Sequence, residues 1–191
     1  NDAYFLTNLA SSPTDSALEY PATDSASAAT AWTTGIKTDD GNISWKQGDP
    51  PHGALKTIAE LLREQKGFSI GVVSTVPFTH ATPAAHVSHN VIRNNYAQIA
   101  TEIIRNVQPE VVIGGGYPGA GDTGSYTYIG KDEYDFLKNP DSASPYRFVE
   151  REPGVDGSVS VLEAAHDAAE QGKKLFGLFG GPGGNFESPI A

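Results

Sequence analysis

The stretch Tyr20-Pro-Ala-Thr-Asp-Ser-Ala-Ser-Ala-Ala-Thr-Ala-Trp-Thr-Thr-Gly35 decides the reading of this chain. Pro21 and Thr23-Asp24 suit a helix entry, where side-chain oxygens satisfy backbone N–H groups that lack partners in the first turn. Ala26 to Ala31 are all small, and Gly35 has the freedom to close the helix at its C′ position. The pattern predicts a helix of about ten residues that begins at Ser25. A serine hydroxyl placed there sits among free N–H donors and a partial positive charge, a setting that favours an anion or an incipient alkoxide. The alanines let the helix lie close to a sheet and leave the hydroxyl uncrowded. Residue types alone favour an ordinary Asp-capped, Ala-rich buried helix, because such caps are common.

Size and charge narrow the classes. A chain of 191 residues suits one domain and can bury a core. Thirteen Lys and Arg stand against 23 Asp and Glu, a net charge of −10 with no basic run. That balance argues against nucleic acid or an acidic membrane surface as the main partner. An acidic enzyme can still bind phosphate esters where metal ions supply local positive charge. Cysteine is absent, so thiolate and disulfide chemistry are excluded. No apolar run approaches membrane-spanning length, and any export signal is expected to precede Asn1.

Along the chain, residues 1–19 read as an ordered lead-in with one apolar patch, Ala3 to Leu6. Lys37 to Asn42 is a turn cluster and Ile43 to Pro51 a loop. Gly53 to Lys66 reads as an amphipathic helix with Leu55, Ile58, Ala59 and Leu62 on one face. Phe68 to Thr75 follows as a buried strand. A helix from Asn95 carries Tyr96, Ile99, Ala100, Ile103 and Val107 on one face and ends before Pro109. Val111 to Gly116 reads as a strand entering a glycine loop, Tyr117 to Gly130 as loop, Asp132 to Lys138 as a short helix and Tyr146 to Val149 as a short strand. Ser160 with Glu163 looks like a capping box opening a helix that ends before Gly172. Lys174 to Phe179 is a further strand, and Gly180 to Gly184 a loop. Helices alternating with buried strands predict a three-layer α/β/α core with a mostly parallel sheet, and a single domain over 1–191.

The second informative stretch is Thr75-Val-Pro-Phe-Thr-His80-Ala-Thr82-Pro-Ala-Ala-His86-Val-Ser-His89-Asn-Val-Ile-Arg93. It leaves a strand where open α/β sheets place ligands. On an extended segment His80 and Thr82 would share one side of the backbone. Pro83 suits the first turn of a new helix, along which Arg93 is expected. His86 and His89 could suggest a metal pair, but no acidic third ligand accompanies them in sequence. His52 and His166 look structural or exposed. Gly114 to Gly121 lacks the Gly-Lys-Ser/Thr ending of a phosphate loop, and no Gly-x-Ser-x-Gly of a serine hydrolase is present.

Both stretches resemble the alkaline phosphatases. Thr23-Asp-Ser-Ala-Ser-Ala-Ala-Thr-Ala-Trp-Thr-Thr-Gly35 is similar to that family's nucleophile signature, and His80-Ala-Thr82-Pro with Arg93 resembles its second motif. The resemblance implies an alkaline-phosphatase-like fold and hydrolysis of phosphate monoesters through a phosphoserine at Ser25. Arg93 would bind two phosphate oxygens, with Asp24 holding the guanidinium. The implied cofactors are two zinc ions and one magnesium ion; Ser25 and Thr82 would be metal ligands and His80 would stand at the third site. The implied setting is a periplasmic or secreted homodimer acting on phosphate esters and inorganic phosphate. The family's Gly-Asp-Gly before the serine and its Asp-x-x-x-His or Asp-His pairs after it are not found here. The chain therefore reads as an N-terminal portion of such a domain, with most metal ligands elsewhere and some apolar surface left bare. Ser25, Thr82 and Arg93 are expected to converge at one sheet edge. The alternatives are a phosphodiesterase or sulfatase of the same superfamily, and an inactive phosphate-binding fragment.

Overall fold

Side chains along the central strands alternate between two apolar faces, and this alternation builds the layers. The computed structural model describes residues 23–119 and 125–180. The expectations for residues 1–19 and for the loop after Gly180 lie outside them. Four strands, β1 (Gly71–Pro77), β2 (Val111–Gly115), β3 (Tyr146–Glu150) and β4 (Lys174–Leu178), form one sheet in the order β1-β2-β4-β3. Every pairing is parallel, with Val112 opposite Val72 and Phe176, and Phe176 also opposite Phe148. Val112, Phe176 and Leu178 point into the larger core, which α1 (Ser25–Thr34), α3 (Ala81–Val87) and α4 (Tyr96–Thr101) cover. On the other face Val111, Ile113 and Leu175 meet Ala164 and Ala168 of α6 (Gly157–Glu170). Two short helices, α2 (Ile58–Lys66) and α5 (Lys131–Lys138), complete the set. The fold is the α/β architecture that the alternation of elements predicts.

Helix α1 follows its local signals closely. It starts at Ser25 behind the Asp24 cap and stops at Gly35, whose φ of 75° is the left-handed C-cap conformation. Elsewhere tertiary context moves the boundaries. The expected helix from Gly53 is shortened to α2, because Thr57 and Glu60 close a capping box there and Leu55 instead hydrogen-bonds back to Ser44. Ile58 is half exposed instead of facing the core. The expected buried strand at 68–75 is an edge strand: Val73 is 66% exposed and Phe68 is 55% exposed. Helix α6 opens at Gly157, capped by Asp156, so Ser160 and Glu163 lie inside it and form no capping box.

Between β1 and β2 the chain departs twice from regular helix. Helix α3 ends at Val87 because Ser88 is extended and Asn90 pairs with Ile43 in an antiparallel bridge. Arg93 thus stands on a connecting segment, not along a helix. The next helix begins at Tyr96 but widens into a π-helical turn over Glu102–Val107, which buries both Ile103 and Ile104 completely. At the carboxyl end of β1 the backbone turns sharply over β2. Gly114 makes this possible, since a Cβ there would stand 2.7 Å from the Cβ of Phe78 and 2.9 Å from its backbone. The turn delivers Thr79, His80 and the start of α3 to the end of the sheet where ligands are bound in open α/β folds.

Candidate active site

Asp24 organises the helix entry with both carboxylate oxygens. Its Oδ2 accepts from Ala26 N at 2.8 Å, from Ser27 N at 3.3 Å and, across the chain, from Gly41 N at 3.1 Å. Its Oδ1 accepts from Nη1 of Arg93. Burial acts to raise the carboxyl's pKa, but the Gly41 amide, Arg93 and the two helix amides outweigh it and hold it below the usual carboxylate value. The same Nη1 donates to Ser25 Oγ at 2.6 Å. One guanidinium nitrogen therefore bridges the capping carboxylate and an exposed hydroxyl on the first residue of the helix.

The bridge rests on a buried frame. Thr30, fully buried on α1, donates to Asn42 O at 3.0 Å and accepts from Ser44 N at 2.8 Å. Ser44 in turn donates to Ala85 O on α3 at 2.6 Å. Arg93 N donates to Gly41 O at 2.8 Å, so the segment that carries the arginine is tied to the residue whose N–H holds Asp24. These small hydroxyl residues do what the Ala/Ser/Thr pattern allows: close approach, with every polar group satisfied.

The remaining expected residues are placed differently. His80 and Thr82 do not share an extended segment: His80 is the N-cap residue of α3 and Thr82 lies in its first turn. The His80 ring stacks on Tyr96 at 5.5 Å and meets Tyr128 edge-on at 5.2 Å. Burial and the positive charge of Arg93 push its pKa down, so it is neutral at neutral pH. Thr82 is exposed and lines a shallow groove of roughly 190 Å³ with Gly71, Ser74 and His86. No side-chain hydrogen bond joins it to Ser25 or Arg93 among the described residues. Ser25 and Arg93 converge in direct contact. His86 and His89 are not a metal pair either. The His86 ring turns back to Thr82 O at 2.9 Å, whereas His89 is buried between two carboxylates, Glu60 and Glu102. His52 and His166 are both exposed.

Sequence reading missed the tyrosines around His80 and the two glutamates around His89. The Thr57-x-x-Glu60 pattern was the one available signal for the latter. Among the described residues no three His, Asp or Glu side chains gather as a metal-holding group. With Ser25 Oγ engaged by Arg93, His80 packed in rings and no three His, Asp or Glu gathered, the described donors do not make a zinc or magnesium centre by themselves.

A parallel α/β sheet thus carries, beside it, a serine on the first turn of a helix facing an arginine. The chain belongs to the alkaline phosphatase family: that family's model matches residues 2–152. Alkaline phosphatase H of Pseudomonas aeruginosa (strain UCBPP-PA14) is 34% identical over 184 residues, covering 86% of this chain and 35% of that protein. Alkaline phosphatase 3 of Bacillus subtilis (strain 168) is 34% identical over 160 residues, covering 74% and 32%. Among solved structures, the cold-active alkaline phosphatase of a psychrophilic Shewanella sp. superposes with a TM-score of 0.55 at 25% identity, over 82% of this chain and 42% of that one. The chain thus spans about a third of the length of the curated relatives it matches.

Proposed function

We propose that this chain carries the nucleophile and the phosphate clamp of a phosphomonoesterase that works through a phosphoserine at Ser25. The carrying observation is the shared Arg93 nitrogen, 2.6 Å from Ser25 Oγ and bonded to Asp24. Arginine does not lose its proton, so its donation to Oγ stabilises negative charge on that oxygen without serving as a base. When a phosphate ester enters, Arg93 turns its fork to two phosphate oxygens while Asp24 keeps hold of the guanidinium. Ser25 Oγ forms a bond to phosphorus as the bond to the alcohol oxygen breaks, the serine's proton ends through solvent on the departing alcohol, and water later releases inorganic phosphate and restores the serine hydroxyl. The N-terminus of α1 adds a favourable field for the dianion.

Metal ions, two zinc and one magnesium, are part of this reading on the family resemblance alone. Their ligands would come largely from outside the described residues, with Ser25, Thr82 and His80 contributing at most part of them. The reading of residues 1–191 as one incomplete domain belongs here too, as do a homodimer and a periplasmic or secreted setting. No helix among the described residues is long and apolar enough to cross a membrane. The test is covalent labelling. Ser25→Ala in the full-length protein should abolish acid-stable attachment of labelled phosphate while circular dichroism stays native. Labelling of the variant at normal yield would remove Ser25 as the nucleophile.

A further inference from the structure

Among the described residues, His89 is a largely buried ionisable group, set between two carboxylates, that the proposed chemistry leaves without a task. Its side chain is 11% exposed. Nδ1 lies 2.8 Å from Glu102 Oε1, and Nε2 lies 3.1 Å from Leu55 O and 3.3 Å from Glu60 Oε2. The backbone N–H of His89 donates to the second Glu102 oxygen at 2.9 Å. Each ring nitrogen therefore faces acceptors only. A neutral imidazole has one N–H and would leave a lone pair against an oxygen, so the geometry requires the doubly protonated ring.

Four residues later stands Arg93, and Asn90, Ile92 and Arg93 are each tied by hydrogen bonds. Asn90 exchanges both backbone hydrogen bonds with Ile43 at 2.8 Å. Its side-chain oxygen accepts from Ile92 N at 3.0 Å and from Asn95 Nδ2 at 2.9 Å. Arg93 N then donates to Gly41 O. His89 thus sits directly beside the Asn90–Ile43 bridge, and that bridge with the Gly41 bond sets the course of the chain to Arg93.

We propose that His89 is a positioning residue for Arg93: held as an imidazolium between Glu60 and Glu102, it fixes the root of the run that delivers the guanidinium to Ser25, and loss of its proton in alkaline solution slackens the phosphate clamp. The inference rests on the proposed role of Arg93. The groups that face His89 are Glu60 and the Leu55 carbonyl on the side of α2 and Glu102 on the helix that continues α4; Lys56 lies within electrostatic reach of Glu60 but is paired with Glu64. Burial alone would discharge the ring, yet hydrogen bonds to Glu102 and Glu60 overcome it and raise its pKa to about 9.

The test is the inhibition constant of inorganic phosphate for the full-length protein, measured from pH 7 to 10 for the parent, His89→Gln, Glu102→Gln and Arg93→Ala. His89→Gln should raise the constant about tenfold at pH 7.5, the loss of roughly one good hydrogen bond in the clamp. It should also erase the parent's weakening centred near pH 9. Glu102→Gln keeps an oxygen for the His89 ring but removes the charge, and should move that weakening to lower pH. Since it preserves size and shape, it decides the matter alone if His89→Gln does not fold. A parent profile retained unshifted in Glu102→Gln, or in folded His89→Gln, overturns the inference. If Arg93→Ala raises the constant and the other two do not, only the positioning role falls. If Arg93→Ala also leaves it unchanged, the clamp reading falls and takes this inference with it.

Discussion

Two cation–carboxylate assemblies lie close together in the sequence and differ in how completely they are satisfied. In the clasp, His89 is 11% exposed between Glu60 and Glu102, themselves 25% and 23% exposed, and each polar contact of the ring is taken. In the clamp, Arg93 and Asp24 are 29% and 17% exposed, and the guanidinium touches a single carboxylate oxygen and one exposed hydroxyl. A saturated pair can only hold structure. An unsaturated one still has donors to offer an incoming anion, which is why the second is the better candidate for chemistry. Two cation–carboxylate groupings thus divide into scaffold and site through the number of partners each cation has already taken.

The largest expected effect breaks the clasp. His89→Leu leaves two carboxylates facing each other without their cation, and a loss of about 3–5 kcal/mol in urea-unfolding free energy is expected. Arg93→Ala removes one carboxylate contact instead of two, at the partly exposed clamp, and should cost less, on the order of 1 kcal/mol, by the same measurement. Equal losses for the two would erase the distinction between scaffold and site.

Titration gives the next effect. With His89 raised to about 9 from 6.5, its contribution is complete below about pH 6.5, falls as pH rises, and is gone above about 9. Glu60, held near 2 by the same interaction, loses its contribution as pH falls from about 4.5 through 2. The clasp therefore contributes fully between about pH 4.5 and 6.5. The alkaline decline should be on the order of 3 kcal/mol between pH 6.5 and 9.5. Chemical denaturation across that range, with His89→Gln as the reference, measures it; parallel curves would mean that the ring does not titrate there.

The smallest effect sharpens the clamp. Asn is as good an N-cap as Asp, so Asp24→Asn should leave melting nearly unchanged. It removes the charge that holds Arg93, and kcat/KM for a phosphate monoester should fall about tenfold. A shift in melting of many degrees with unaltered kinetics would make Asp24 a cap and nothing more.

How far the sequence could be read follows from the range of the forces involved. The entry and exit of α1 depend on Asp24, the small residues behind it and Gly35, all within a few turns, and they stand as expected. The apolar run Ile70 to Val73 reads as buried, but burial depends on what packs from elsewhere, and β1 lies at the sheet edge with Val73 exposed. Arg93 was expected on a helix because nothing near it in sequence announces that Asn90 will pair with Ile43. The meeting of Ser25 with Arg93 was legible through the family motif. The clasp was not, since Glu60 and Glu102 reach His89 from either side in sequence and only the fold joins them.

The π-helical turn at Glu102 and the bridge at Asn90 also bear on the order in which the molecule assembles. His89 and Glu102 are 13 residues apart, whereas Asp24 and Arg93 are separated by 69. Closing the longer loop costs about 1.5 kcal/mol more chain entropy. The His89–Glu102 half of the clasp therefore closes at lower cost than the clamp, and a folding chain can join those two residues before Ser25 is brought to meet Arg93.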